Sequence, residues 1–353
     1  MNHTHQYIDR ATGNVVREHL LANSVISALY SPALERAPLV TRVASSRYVS
    51  RVLGYLNYDN VLSSRATGML KFLRSSGIAL SEFVGNLSEY DTARKIFERQ
   101  IRYWHCRPMP PEARAVVCPA DSRALIGSME ESSGLYLKQK FFSFPELLGD
   151  GSPWQRSFEG GDYAVFRLTP EKYHYTHSPV SGRVLDFYSV DGRYYPCNPN
   201  AAVQLVTPVS KNRRVVTVFD TDCPNGSVVG RVAMIEVVAL MIGQIEQCHS
   251  EQRYENPRAL ERGMFLRAGA PKALFRPGSS TVVLLFQRGR VRFAPDLVAN
   301  QCRSDIQSRF SLTLGEPLAE TDVAVRSLLA RPAEENRDSE NCDSDVPRPA
   351  TNQ

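Results

Sequence analysis

The sequence of 353 residues lacks the features that mark a disulfide scaffold, a zinc ribbon or a membrane-spanning protein. Its seven cysteines are scattered, odd in number and without a Cys-x-x-Cys pair, which argues against both of the first two classes. The longest apolar run, 232–245, is interrupted by Glu236 and is shorter than the roughly 20 residues that a helix needs to span a bilayer. The first residues are polar, so we find no signal peptide. We expect a reducing compartment and a protein that is cytoplasmic or peripherally bound to a membrane.

Charge is distributed unevenly along the chain. The formal net charge is +5, but residues 331–353 hold six acids and only three arginines, which leaves +8 on the preceding body. A basic body suits an anionic membrane surface or nucleic acid, and an ordinary solvated surface explains it equally well. We favour the anionic membrane surface and expect no nucleic-acid partner.

Residues 18–103 have a mostly helical pattern, and the clearest helix is predicted within 81–104 with Asp91 as its N-cap. The apolar face of that helix consists of Ile96, Phe97, Ile101 and Trp104. Four basic residues lie largely off that face, and they predict either a cationic surface for anionic lipid or a solvated face: Arg94, Lys95, Arg99 and Arg102.

A proline-rich break at 107–111 separates this part from a region of strands. Strands with Gly/Pro turns between them predict a β-rich core, either barrel-like or made of two packed sheets. The predicted fold class is therefore α+β. We divide the chain into a mostly helical N-terminal region (1–110), a β-rich core (111–325) and a disordered acidic tail (326–353). The predicted strands cover 115–118, 163–168, 182–190, 203–206, 214–219, 227–240 and 281–286.

One stretch, 275–286, joins a Pro-Gly-Ser-Ser turn directly to a strand of β-branched and apolar residues. On composition alone it is a turn before a core strand, because glycine, proline and serine dominate turns. A hydroxyl at the mouth of a buried strand is also held rigidly. Such a hydroxyl can be aimed at its own backbone or at a bound substrate.

Two further motifs carry groups that could do chemistry. Asp121 lies in the proline-bounded turn 119–123, where an Asx-turn or cap is its ordinary role. His174 and His177 are three residues apart, a spacing that could hold a metal on one helical turn. Prolines bracket the pair at 170 and 179 and no further ligand follows at metal-like spacing, so we predict no metal site.

These three stretches, in this order, resemble the phosphatidylserine decarboxylase family. Residues 119–123 are similar to its Pro-x-Asp-Gly-x motif, with Ser122 in place of the usual glycine. Residues 168–182 are close to its Leu-x-Pro-x-x-Tyr-His-x-x-His-x-Pro-x-x-Gly run, the most specific of the three. Residues 275–286 resemble its self-cleavage site, with Ser279 where a second glycine is usual.

The resemblance implies a zymogen that cuts itself and a covalent pyruvoyl cofactor. Anchoring the register on Phe275 and on 282–286 makes Ser280 the pyruvoyl precursor and Ser279 the residue before the cut; the alternative register makes Ser279 the precursor. Oγ of the serine attacks the preceding carbonyl, the resulting ester is split by β-elimination to dehydroalanine, and hydrolysis of that group by water releases ammonia and leaves pyruvoyl. By resemblance, His177 is the base and Asp121 orients it. His174 is the acid that reprotonates the product.

The function implied is decarboxylation of phosphatidylserine to phosphatidylethanolamine, a step of phospholipid biosynthesis. Two alternatives stay open: a decarboxylase of a soluble, for example aromatic, amino acid, and an uncleaved lipid-binding member of the family. The partners implied are the amino-acid substrate, an anionic membrane surface and the chain's own fragment, residues 1–279 with 280–353. The sequence leaves a homo-oligomer open.

Overall fold

We analysed a computed structural model, in which the described residues are 5–18, 48, 52, 55–59, 71, 73, 75–129, 143–195, 208–238, 244–278 and 280–333. Ser279, the predicted strand at 203–206 and residues 334–353 lie outside the described residues, as does most of the predicted helical region before residue 75.

Sixteen strands are formed by the described residues, and they fall into three sheets. The strands are β1 (Gln6–Asp9), β2 (Val15–Arg17), β3 (Val116–Val117), β4 (Ser122–Ser128), β5 (Asp162–Leu168), β6 (Tyr175–His177), β7 (Gly182–Val190), β8 (Arg214–Asp220), β9 (Arg231–Val238), β10 (Ile245–Gln247), β11 (Phe265–Leu266), β12 (Pro271–Phe275), β13 (Ser280–Phe286), β14 (Val291–Phe293), β15 (Glu320–Val323) and β16 (Leu328–Pro332). The large sheet has the order β11-β7-β8-β9-β13-β5-β4-β15-β1-β2. The two small sheets are β10-β12-β6 and β14-β16-β3. The predicted β-rich core is confirmed, but in the described residues it consists of one large open sheet and two small ones, and not of a barrel or of two packed sheets.

Helices in the described residues are short. The α-helices are α1 (Ala93–Phe97), α2 (Tyr103–Cys106), α3 (Phe144–Leu148), α4 (Gln155–Phe158), α5 (Pro208–Lys211), α6 (Pro295–Gln301) and α7 (Arg309–Leu314). Two 3₁₀ turns cover Leu80–Glu82 and Leu87–Glu89, and a π-helical turn covers Tyr55–Asp59.

The strand β13 lies in the middle of the large sheet, between β9 and β5. All seven of its residues are buried, because packed layers cover both faces of the apolar run 282–286 and the two polar residues before it lie in the same central strand. Its even-numbered side chains Val282, Leu284 and Phe286 enter one core cluster, and its odd-numbered side chains Val283 and Leu285 enter a second. Each such side chain contributes roughly 1.5–3 kcal/mol by leaving water.

The small sheet β10-β12-β6 covers one end of the first of these clusters. Phe275 of β12 belongs to that cluster, and β13 begins five residues later at Ser280. Strand β6, which carries His177, pairs antiparallel with β12. The histidine strand and the serine strand are therefore held together by β12, which pairs with one and runs into the other.

Two predicted boundaries are wrong. The N-terminal region, which we predicted to be mostly helical, also contributes strands, since β1 pairs parallel with β15 and antiparallel with β2 in the large sheet. The predicted disordered tail begins too early, because β16 pairs with β14 and β3 and buries Leu329 and Ala330. The helix predicted within 81–104 is broken, since only the five residues of α1 and the first two of α2 are α-helical there. The N-cap of α1 is Thr92, whose side chain accepts from the N–H of Lys95.

Candidate active site

Ser280 is the first residue of β13, opposite Leu168 of β5 and Val238 of β9. It is fully buried, and its Oγ has no hydrogen-bond partner among the described residues. Burying a hydroxyl without a hydrogen-bond partner destabilises the folded state. Packing alone therefore does not explain a serine at this position. Two residues earlier, Gly278 has a φ of 148°, a conformation that side-chain-bearing residues rarely adopt. The backbone before β13 thus requires a glycine at 278, and the strand begins with the unpartnered hydroxyl of Ser280.

His174 is fully buried, with its ring stacked on Phe97 of α1 at 3.5 Å between centroids. Its Nδ1 lies 2.7 Å from the carbonyl of Lys172, which can only accept, so Nδ1 carries the hydrogen. Burial holds the pKa of His174 well below its ordinary value, and the charge of Arg99 lowers it further. His174 is therefore neutral, and its Nε2 presents a lone pair with no partner among the described residues. This is the state that a proton acceptor requires.

His177 differs from His174 in that both of its ring nitrogens have partners. Nδ1 lies 2.8 Å from the carbonyl of Gly269, and Nε2 lies 3.0 Å from the hydroxyl of Tyr173. Burial lowers the pKa of His177 to about 3, against the opposing effect of the Gly269 carbonyl. The ring also packs edge-on against Tyr103 at 4.8 Å. His177 is thus a neutral, rigidly held imidazole.

Asp121 is buried, but the structure does not place it on the histidine. Its carboxylate accepts from Nη2 of Arg107 at 2.8 Å and from the N–H of Val325 at 2.8 Å. Burial would raise the pKa of Asp121, yet the charge and hydrogen bonds of Arg107 hold it below its ordinary value. Within the described residues no hydrogen bond joins Asp121 to His177, so the contact that a triad requires is not made here. The carboxylate acts on His177 through its charge, which raises the pKa of the imidazole.

A buried ion pair lies beside these groups. Nζ of Lys272 and Oε2 of Glu236 are 2.6 Å apart, and both side chains are fully buried. Glu236 stands opposite Val282, so it faces the same side of the sheet as Ser280, and its Oε1 accepts from the Thr176 hydroxyl at 2.6 Å. Removing one partner of such a pair typically costs about 3–5 kcal/mol. We did not predict this pair, although Glu236 interrupts the longest apolar run of the sequence.

The comparison with known families bears on the whole of this site. The model of the phosphatidylserine decarboxylase family matches residues 93–319. The chain belongs to the phosphatidylserine decarboxylase family. That match begins at α1, which stacks on His174, and it contains Asp121, both histidines and Ser280.

Individual members of the phosphatidylserine decarboxylase family match over most of their length. The chain is 32% identical over 263 residues to the phosphatidylserine decarboxylase proenzyme of Bordetella petrii, covering 71% of this chain and 88% of that protein. It is 30% identical over 319 residues to the proenzyme of Chlamydia felis, covering 89% of this chain and 99% of that protein. With the proenzyme of Azotobacter vinelandii the identity is 30% over 270 residues, 70% of this chain and 92% of that protein.

Proposed function

We propose that the protein decarboxylates phosphatidylserine to phosphatidylethanolamine through a pyruvoyl group that it makes from Ser280. The observation that carries the proposal is the fully buried, unpartnered Oγ of Ser280 at the mouth of the central strand. The relatives named proenzymes support self-cleavage, and their substrate favours the lipid over a soluble amino acid. An uncleaved lipid-binding protein would have no use for an unsatisfied hydroxyl at this position.

The residues around Ser280 suit a pyruvoyl group. When formed, this group supplies a carbonyl that condenses with the substrate's amine and accepts the electrons released as CO2 leaves. The buried position of residue 280 keeps water from it, since its neighbours Leu168, Val238 and Val282 are apolar and fully packed. Nε2 of His174 is a free lone pair in a buried site, so this histidine can take up a proton and return it to the product.

For self-cleavage we assign the base to His177 and the electrostatic support to Asp121. A serine hydroxyl is a poor nucleophile at neutral pH and needs a neutral imidazole to take its proton. Both histidines are held neutral by burial. Asp121 raises the pKa of His177, so its charge favours proton uptake by that ring without touching it.

The substrate assignment predicts a clear product pattern. Purified, cut protein should release CO2 from phosphatidylserine vesicles and form phosphatidylethanolamine, and it should leave free serine, tyrosine and tryptophan unchanged. The measurement is product analysis by mass spectrometry, with protein kept uncut by Ser280→Ala as the control. Turnover of a free aromatic amino acid in place of the lipid would establish the soluble-substrate alternative.

Attachment to the membrane surface is a separate proposal. Within the described residues no helix has the length and apolarity needed to cross a bilayer. Leu80 and Leu87 are exposed beside an apolar cavity of about 320 Å³ that Phe83 and Ile96 also line. The predicted cationic helix face is weaker than expected, because Arg94 is paired with Asp59 and Glu98 while Arg99 is buried. We therefore expect apolar contact of Leu80 and Leu87 with the lipid to contribute to membrane binding in addition to charge.

Co-sedimentation with anionic vesicles tests this attachment. Binding should be strong at low salt and weaker at 1 M salt, where the Debye length falls to about 3 Å. Leu80→Ser with Leu87→Ser should remove the salt-resistant part, whereas Leu312→Ser, an equally exposed leucine on α7, should not. Absence of binding at low salt would contradict the proposal.

A further inference from the structure

A chain of hydrogen-bonding groups ends on His177. The N–H of Ile101 lies 3.1 Å from the hydroxyl of Tyr254, and that hydroxyl is also 2.9 Å from the carbonyl of Ile101. The hydroxyls of Tyr254 and Tyr173 are 2.7 Å apart, and that of Tyr173 is 3.0 Å from Nε2 of His177. On its other side the ring meets the carbonyl of Gly269 at 2.8 Å. The chain joins segments 153 and 81 residues apart in sequence.

The direction of these bonds follows from counting hydrogens while His177 is neutral. The Gly269 carbonyl only accepts, so Nδ1 holds the single ring hydrogen and Nε2 must accept. Tyr173 therefore donates its one hydrogen to Nε2, and Tyr254 donates its own to Tyr173. The oxygen of Tyr254 then accepts from the N–H of Ile101. In this state the carbonyl of Ile101 receives no hydrogen from Tyr254.

The same groups have a second complete arrangement when His177 is protonated. Nε2 now carries a hydrogen and donates to Tyr173, which turns its own hydrogen to Tyr254. Tyr254 then donates to the carbonyl of Ile101, the contact left unused in the neutral state. Two hydroxyl rotations thus interchange the arrangements, and no hydrogen in the chain loses its acceptor in either one. An ordinary structural histidine needs only the first.

We propose that Tyr173 and Tyr254 are positioning residues for His177, and that they reverse their hydrogen bonds when the ring takes up and returns a proton during self-cleavage. This inference rests on the proposed role of His177 as base. In hydrolase triads a carboxylate orients the imidazole ring. Here two tyrosines would orient it instead. The charges that act on His177 are those of Arg326 and Arg107, which oppose protonation, and that of Asp121, which favours it. The tyrosine chain adds an acceptor to the protonated ring without adding a charge.

Removal of single hydroxyls tests the chain. Tyr173→Phe leaves the N–H of protonated His177 without a buried acceptor, so cleavage should slow about 10- to 100-fold. Tyr254→Phe leaves the hydrogen of Tyr173 without an acceptor only in the protonated state, and cleavage should slow about fivefold to tenfold. Tyr188→Phe is the matched control, because that hydroxyl also donates to a carbonyl, at 2.8 Å from Leu148, but lies on β7 outside the chain. Its cleavage rate should equal that of the wild type.

Two readouts separate this role from simple support of the fold. In Tyr254→Phe the cleavage rate should fall while the ¹⁵N shift of Nε2 of neutral His177 stays at the wild-type value, because that variant loses an acceptor only when the ring is protonated. In protein kept uncut by Ser280→Ala, the ¹⁵N shift of Nε2 of His177 should move toward that of a free lone pair in Tyr173→Phe only. If the wild type never cuts, the proposed function fails, while the ¹⁵N shift still tests the hydrogen bond.

The proposal is overturned by either of two results. One is wild-type cleavage in both phenylalanine variants. The other is slow cleavage with an unchanged ¹⁵N shift in Tyr173→Phe, since that pattern means that the hydroxyls only support packing. Thermal melting of each variant in the Ser280→Ala background shows whether the fold is retained, and Tyr254→Phe, one step removed from the ring, is the milder of the two changes.

Discussion

Ser280→Ala should remain a single chain of 353 residues, while the wild type should separate into residues 1–279 and 280–353. Alanine has no hydroxyl to attack the preceding carbonyl, so the loss of cleavage should be complete. The small fragment of the wild type should begin with pyruvoyl in place of an amine. Intact-mass measurement locates the cut to one residue. Borohydride reduction with an added amine should tag the same fragment covalently, because pyruvoyl carries a ketone.

Ser279→Gly is the companion variant, and it should still cut. Glycine relieves any backbone strain at the residue before the bond, so its cleavage should be as fast as that of the wild type or faster. A small fragment that begins at residue 279 would show that Ser279 is the precursor. A chain that stays whole after long incubation would instead favour the uncleaved lipid-binding alternative.

His177→Ala should leave most of the chain uncut, with cleavage slowed about 10²- to 10⁴-fold, the usual contribution of a general base. Asp121→Asn should also leave the chain largely uncut. It should slow cleavage less than His177→Ala does, because Asp121 acts on His177 only through its charge. His174→Ala should cut more readily than either and then fail in lipid turnover. Gel densitometry over time, followed by the vesicle assay on the cut material, separates the two roles.

The matched control for these histidines is His249→Ala. His249 is also fully buried, with Nδ1 at 3.0 Å from the carbonyl of Pro271 and an Nε2 without a partner among the described residues. If its loss slows cleavage as much as the loss of His177, the effect comes from packing. Wild-type cleavage in His177→Ala would remove that residue as the base.

Local patterns predicted the strands of the centre well. Strand β7 was predicted within its observed bounds, and β5 and β8 were each predicted to within one residue, because β-branched runs bounded by turns carry their own signal. The helix predicted within 81–104 was too long, because tertiary contacts override its pattern after Phe97. Ile101 forms an isolated β-bridge with Phe83, and Arg99 is buried with hydrogen bonds to two carbonyls.

The groups of the site were predictable one at a time, but their contacts were not. Asp121, His174, His177 and Ser280 each stand in a recognisable motif, yet the partner of Asp121 is Arg107 in the proline-rich break. Tyr254 lies 81 residues from Tyr173, and Lys272 lies 36 from Glu236. Nothing local marks such pairs, because a side chain buried by distant strands finds its partner only when the sheets assemble.

The central position of β13 determines how the two fragments would stay associated after a cut before Ser280. Strand β13 is hydrogen-bonded along its length to β5 and β9, which belong to the other fragment, and β15 is inserted between β4 and β1. After a cut before Ser280, the fragment 280–353 would therefore stay interleaved with the rest of the chain although no covalent bond would join the two pieces. Once heat or denaturant separates the two pieces, reassembly becomes a bimolecular event, and its outcome depends on concentration. The stability of the cut protein would then be kinetic, set by its rate of unfolding. Only the uncut zymogen would be able to refold as a single chain.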